Sequence, residues 1–121
     1  MELQRLDTPL TVCKVADLRD VPLEGELFFL ARTEEELSLV CPTRDTPANT
    51  LAREDGWRGL RVRGVLDFAL VGILARLSGV LAEAGISIFA VSTFNTDYLL
   101  VRENQFDRAL AALAAAGYAI V

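Results

Sequence analysis

The residues with the most chemical promise stand in two short stretches. Asp67, Phe68 and Val71 belong to the segment DFALV, which Gly72 follows, and Leu74 comes just after. Thr93, Phe94 and Asp97 belong to STFNTD. A glycine at a helix start leaves backbone N–H groups open to a carboxylate, helped by the positive end of the helix dipole. An aspartate beside an apolar strand suits an ammonium group. A free amino acid carries both groups. Each residue also has a structural reading. Gly72 can serve close packing of helix on strand. Asp97 can be a hairpin-turn acid, and Asp67 a turn residue beside a helix. Thr93 and Asn95 can be turn residues, and Phe68 and Phe89 core residues. Phe94, at a turn tip, can pack or wall a pocket.

Other chemistries lack their parts. The chain has no histidine, so the commonest general base and zinc ligand are absent. No Ser/His/Asp set, metal-ligand cluster or phosphate loop can be assembled. Glu34, Glu35 and Glu36 stand in a row, and consecutive side chains of a tight turn point apart; a solvated turn is the reading, not a metal site. Cys13 and Cys41 are far apart and lie in apolar runs, as small hydrophobes do. Two cysteines do not make a secreted disulfide framework, though a single bridge stays open. Arg58, Arg61 and Arg63 read as one wet strand face. The net charge of −5 opposes nucleic acid and anionic lipid as partners. The first residues form no signal peptide, and the apolar stretch Val65–Val91 is broken by charges and glycines. A cytoplasmic location is the resulting expectation.

The elements that must position these residues follow from periodicity. Gly59–Leu66 alternates apolar and basic residues, a strand with one wet face. Asp67–Val71 is a loop. In Gly72–Ala84 the residues Ile73, Leu74, Leu77, Val80 and Leu81 share one helical face, and Gly85 stops the helix. Ile86–Thr93 and Asp97–Arg102 make a hairpin across Phe94–Thr96. Asn104 reads as the cap of a second helix with Phe106, Leu110 and Leu113 on its apolar face. Gly117 ends that helix, and Tyr118–Val121 is a last strand. The order βαββαβ is the ferredoxin-like plan, of class α+β.

The first half repeats part of it. Leu10–Val15 is a strand, Ala16–Asp20 a turn or two, and Phe28–Thr33 with Leu37–Cys41 a hairpin. A shift of 60 residues lays Phe29 on Phe89, Thr33 on Thr93, and Leu39 on Leu99, which reads as an internal duplication. Thr46–Glu54 is expected to be a short helix broken at Asp55-Gly56, and Trp57 to anchor the junction. The expected modules are 1–56, degenerate with a short first helix, and 57–121, packed together as one unit. With 52% hydrophobic residues the chain has enough apolar surface for a core.

On Leu66-Asp67-Phe68, Gly72-Ile73, Ala84-Gly85-Ile86-Ser87 and STFNTD, the sequence resembles the paired ACT-domain proteins that include cytosolic arginine sensors. It is more distantly similar to the regulatory domains of aspartate kinases. The resemblance implies two tandem ACT-like modules and a regulatory ligand site rather than catalysis. It implies that Gly72, Leu74, Thr93, Phe94 and Asp97 line that site, with Asp67, Phe68 and Val71 in the adjoining loop. It departs at Leu70, where the arginine sensors carry an acid, which leaves a smaller or more apolar amino acid open. The sensors chain four modules, so a homodimer is implied here. No cofactor is expected. The function expected is amino-acid binding in allosteric regulation, without enzymatic activity. The alternatives are a dimerisation or partner-interaction module, or an enzyme on the same scaffold. An RNA-binding βαββαβ domain is opposed by the sign of the charge.

Overall fold

The apolar residues at alternating and helical spacing supply the buried cores of the chain, shown by a computed structural model that describes residues 1–67 and 69–121. Phe68, one of the candidate site residues, lies outside the described residues. The strands are β1 (Glu2–Val15), β2 (Phe29–Arg32), β3 (Leu37–Pro42), β4 (Ala52–Val62), β5 (Phe89–Ser92), β6 (Asp97–Arg102) and β7 (Ala119–Ile120). The helices are α1 (Ile73–Glu83) and α2 (Phe106–Ala115). The chain divides into two compact units, Thr8–Trp57 and Met1–Asp7 with Arg58–Val121.

In Thr8–Trp57 the strand order is β2-β3-β1-β4. β1 and β3 are antiparallel, with Cys13 opposite Leu39 and Thr11 opposite Cys41. β2 and β3 form the expected hairpin, with Phe29 opposite Val40 and Arg32 opposite Leu37. Short 3-10 turns, Leu18–Asp20 and Thr43–Asp45, stand where helices would complete a βαββαβ module. Cys13, Val15, Val21, Leu39 and Cys41 make a small core. Both cysteines are free thiols, and burial raises their pKa values, so they act as hydrophobes.

In the other unit the order is β7-β1-β4-β6-β5. This is the ferredoxin-like sheet with the first residues of β1 inserted before the last strand. Glu2 and Leu3 pair in parallel with Ala119 and Ile120. The N–H of Arg63 donates to the carbonyl of Glu2 (3.0 Å). Phe89 stands opposite Leu100 and Ser92 opposite Asp97. Helices α1 and α2 send Leu77, Leu81, Phe106, Ala109 and Leu113 into a core with Leu3, Leu60, Val62, Leu99 and Val101. Fully burying one such leucine contributes about 1.5–3 kcal/mol.

Four expectations need correction. Met1–Asp7 group with the unit that holds α1 and α2, not with the first module, because Leu3 is 1% exposed in that core. Thr46–Glu54 is not a helix, and Asp55-Gly56 does not break the chain. β4 begins at Ala52, Gly56 takes φ 82 within it, and Asp55 accepts a 2.6 Å hydrogen bond from the buried hydroxyl of Thr11. Strand pairing there overrides helix propensity. The strand expected from Ile86 starts at Phe89, because the Ile86 N–H is spent on the Leu81 carbonyl (2.9 Å) in the cap that ends α1. Asn104 does not cap α2. It lies in a 3-10 turn, Glu103–Gln105, and the helix begins at Phe106 without a side-chain cap.

Candidate functional site

A cavity of about 280 Å³ opens where the loop after β4 meets the start of α1 and the β5–β6 turn. Three pieces of local structure build it. The first is the loop. Asp67 Oδ1 accepts from the N–H of Ala69 (2.8 Å), and the Asp67 carbonyl accepts from Leu70 (3.0 Å), so the aspartate organises its own turn. Leu66 is tied to the hairpin by its N–H to the Asn95 carbonyl (2.7 Å).

The second is the start of α1. Gly72 is its N-cap at φ 80 and ψ 3, a left-handed conformation that other residues adopt at a cost of about 1–2 kcal/mol. No side chain caps this helix. The first helical bond runs from Arg76 N–H to the Gly72 carbonyl (2.9 Å), so the N–H groups before it lie outside the helical ladder. Gly72, Ile73, Leu74 and Ala75 all line the cavity.

The third is the hairpin turn. Thr93 N–H donates to the Thr96 carbonyl (2.8 Å), and Thr93 Oγ1 donates to the same carbonyl (3.1 Å). Thr96 is 6% exposed, and its hydroxyl donates to the Val62 carbonyl (2.6 Å), which pins the turn to β4. Ser92 Oγ donates to Asp97 Oδ1 (2.6 Å), orienting that carboxylate across the strand pair.

The cavity therefore has a polarity. Its α1 side offers the positive end of a helix dipole. Its carboxylates are Asp67 and Asp97, and no lysine or arginine lines it. Leu66, Leu70, Ile73 and Leu74 supply apolar wall. Such a site suits a small zwitterion, with its carboxylate at the helix start and its ammonium group at an aspartate. Among the described residues no group of three or more His, Cys, Asp or Glu could hold a metal ion.

Of the candidate residues, Asp67, Gly72, Leu74, Thr93 and Asp97 come together around this cavity. Val71 and Phe94 do not line it; they are 90% and 78% exposed. Sequence reasoning passed over Ser92 and Thr96. The hairpin register held the signal for Ser92, since counting from Phe89 opposite Leu100 puts Ser92 opposite Asp97. Thr96, a polar residue buried in the turn, left no such signal.

The comparisons with known proteins fall on these same elements. A family model described as ACT domain matches residues 52–115, which include every residue lining the cavity. The chain belongs to the ACT-domain family. This ACT protein is 47% identical over 49 residues to the "Cytosolic arginine sensor for mTORC1 subunit 1" of Homo sapiens and of Bos taurus. That stretch is 40% of this chain and 15% of the sensor, so the chain spans only a small part of those relatives. The X-ray structure of protein Atu0741 from Agobacterium tumefaciens matches with TM-score 0.86 and 30% identity, covering 99% of this chain and 91% of that one. A crystal structure of aspartokinase alpha and beta subunits matches with TM-score 0.67 at 17% identity, over 96% and 97% of the two chains, a likeness of fold. The mixed α/β, ferredoxin-like architecture is thus shared across these proteins.

Proposed function

We propose that this chain is a regulatory, non-catalytic protein that binds a free amino acid in the cavity at the start of α1. The observation that carries this reading is the juxtaposition of an uncapped helix N-terminus with Asp67 and Asp97 across one small cavity without cationic residues. Thr93 and Ser92 fix the hairpin side of the site, and Gly72 supplies the left-handed turn into α1 on the other. The arginine-sensor relatives support an amino acid as the ligand class. Leu70 is part of the wall, and the apolar wall favours a neutral side chain.

The rest of the reading follows from the relatives. A homodimer would supply further modules beside the two units of one chain. The cytosolic sensor among the relatives supports a cytosolic setting, and no helix among the described residues is long and apolar enough to cross a membrane. Ligand would act on a partner only through its differential affinity for two arrangements of the protein.

A thermal-shift screen of the purified protein against the twenty amino acids tests the reading. A ligand at about 100 times its Kd adds about 2.7 kcal/mol, several degrees for a chain of this size. Asp97→Asn should weaken the hit at least about tenfold, the loss of one charge-assisted contact, with the unliganded Tm little changed. No shift with any amino acid, or full affinity in Asp97→Asn, sinks the reading.

A further inference from the structure

We propose that the unit Thr8–Trp57 holds a second amino-acid site, built at the same place in its sheet but with side-chain cations where the first uses a helix. A cavity of about 420 Å³ lies at the β2–β3 turn. Arg32, Thr33, Glu36 and Leu37 line it. Sixty residues later, Ser92, Thr93, Thr96 and Asp97 line the first cavity.

The agreement extends to the backbone. Arg32 faces Leu37 as Ser92 faces Asp97. The Thr33 N–H donates to the Glu36 carbonyl (2.9 Å) as Thr93 donates to Thr96 (2.8 Å). In each turn the threonine Oγ1 accepts the N–H three residues on, at 3.2 Å from Glu36 and 3.3 Å from Thr96. One turn, made twice, opens a hollow in both units.

The chemistry at the matching positions is exchanged. Leu37 stands where Asp97 stands, so the acid of β6 has no counterpart on β3. Arg32 replaces Ser92, and Lys14 joins it in the lining. No α-helix begins beside this cavity, so no helix N–H groups are available for a carboxylate. Lys14 and Arg32 supply that handle instead. Neither forms an ion pair with a described residue, although Glu34, Glu35 and Glu36 all line the same hollow. Both signs of charge are thus present and unspent on each other. A zwitterion fits them, its carboxylate on Lys14 and Arg32 and its ammonium group on a glutamate.

The proposal does not require the first site to be occupied, and one experiment reads the two separately. The full-length, 15N-labelled protein is titrated with each of the twenty amino acids, and amide shifts are followed by two-dimensional NMR. At least one amino acid should move the amides of Thr33–Leu37 in a saturable way. Lys14→Met with Arg32→Met should weaken that response about tenfold or more, while any response at Gly72 and Thr93–Asp97 is kept. Lys14→Arg with Arg32→Lys should retain it, which guards against a mere loss of fold. No saturable shift at Thr33–Leu37 with any amino acid overturns the proposal. So does an unchanged midpoint in the double methionine variant. Equal shifts and midpoint with sodium acetate would overturn the zwitterion and leave an adventitious carboxylate. Shifts at Thr33–Leu37 alone would uphold this site and count against the first.

Discussion

The two units share a hairpin register and differ in what covers it. Leu39 and Leu99 occupy one register position, and both are buried to within 1%. A 3-10 turn follows each hairpin at the same offset, Thr43–Asp45 and Glu103–Gln105. After the second turn the chain continues into α2. After the first it has only Thr46–Leu51 before β4 begins. The unit with α1 and α2 gains a large core and a helix start at its cavity. The other keeps the strand plan with a small core around two cysteines. The hairpin is therefore the stable inheritance of both units, and helices decide how much each can bury and what it can offer a ligand.

The largest test of that contrast is a matched pair of cavity-creating variants. Leu99→Ala should cost about 4 kcal/mol and Leu39→Ala about 2–3 kcal/mol by urea unfolding, because the smaller core can collapse further around its gap. Equal losses would mean that the helical layer does not set the difference. Next comes Gly72→Ala, which has no counterpart in the helix-free unit. The strain of φ 80 without any steric clash should cost about 1 kcal/mol and leave the fold intact by circular dichroism. A stabilising effect would contradict the left-handed cap.

Thr33→Ala and Thr93→Ala probe what the units have in common. Each removes one turn hydroxyl and should cost about 0.5–1 kcal/mol, with Thr93→Ala the larger, because Thr93 Oγ1 donates to the Thr96 carbonyl as well as accepting its N–H, whereas Thr33 Oγ1 only accepts, from Glu35 and Glu36. A larger loss at Thr33 would contradict that difference. The smallest effect is electrostatic and confined to Thr8–Trp57. The hydrogen bonds from Arg19 lower the Asp17 pKa from 3.8 to about 2. A lowered folded pKa stabilises above the ordinary value, and that contribution fades as pH falls through about 2. Asp17→Asn should flatten the slope of Tm against pH between about 4 and 2, and an unchanged slope would dismiss the pair as a contributor.

Much of this was legible in the sequence because it rests on local periodicity. The stripe Leu77, Leu81 and the alternation through Leu60 and Val62 needed no partner to be read, and the hairpin shift followed from matching residues. The place of Gly72 and Asp97 on one cavity followed from topology and from the family resemblance. What stayed hidden depends on pairing between distant segments. Nothing local in Glu2–Asp7 says that it pairs with Ala119 and Ile120. Nothing local in Ala52–Gly56 says that a buried threonine hydroxyl waits for Asp55. Phe94 was placed at the site by the family resemblance and Val71 by its loop; neither lines the cavity, and they are 78% and 90% exposed.

The pairing of Glu2 and Leu3 with Ala119 and Ile120 has a consequence for synthesis. Thr8–Trp57 is continuous in the chain and has all its strands once Trp57 has been made. The other unit joins residues from opposite ends of the sequence. Leu3, bound for its core, is made well before Ala119 and Ile120 and must wait for them. Closing that contact is a long-loop step, slow by its chain entropy. Thr8–Trp57 can therefore have all its strands before the other unit, whose sheet closes only when Glu2 and Leu3 meet Ala119 and Ile120.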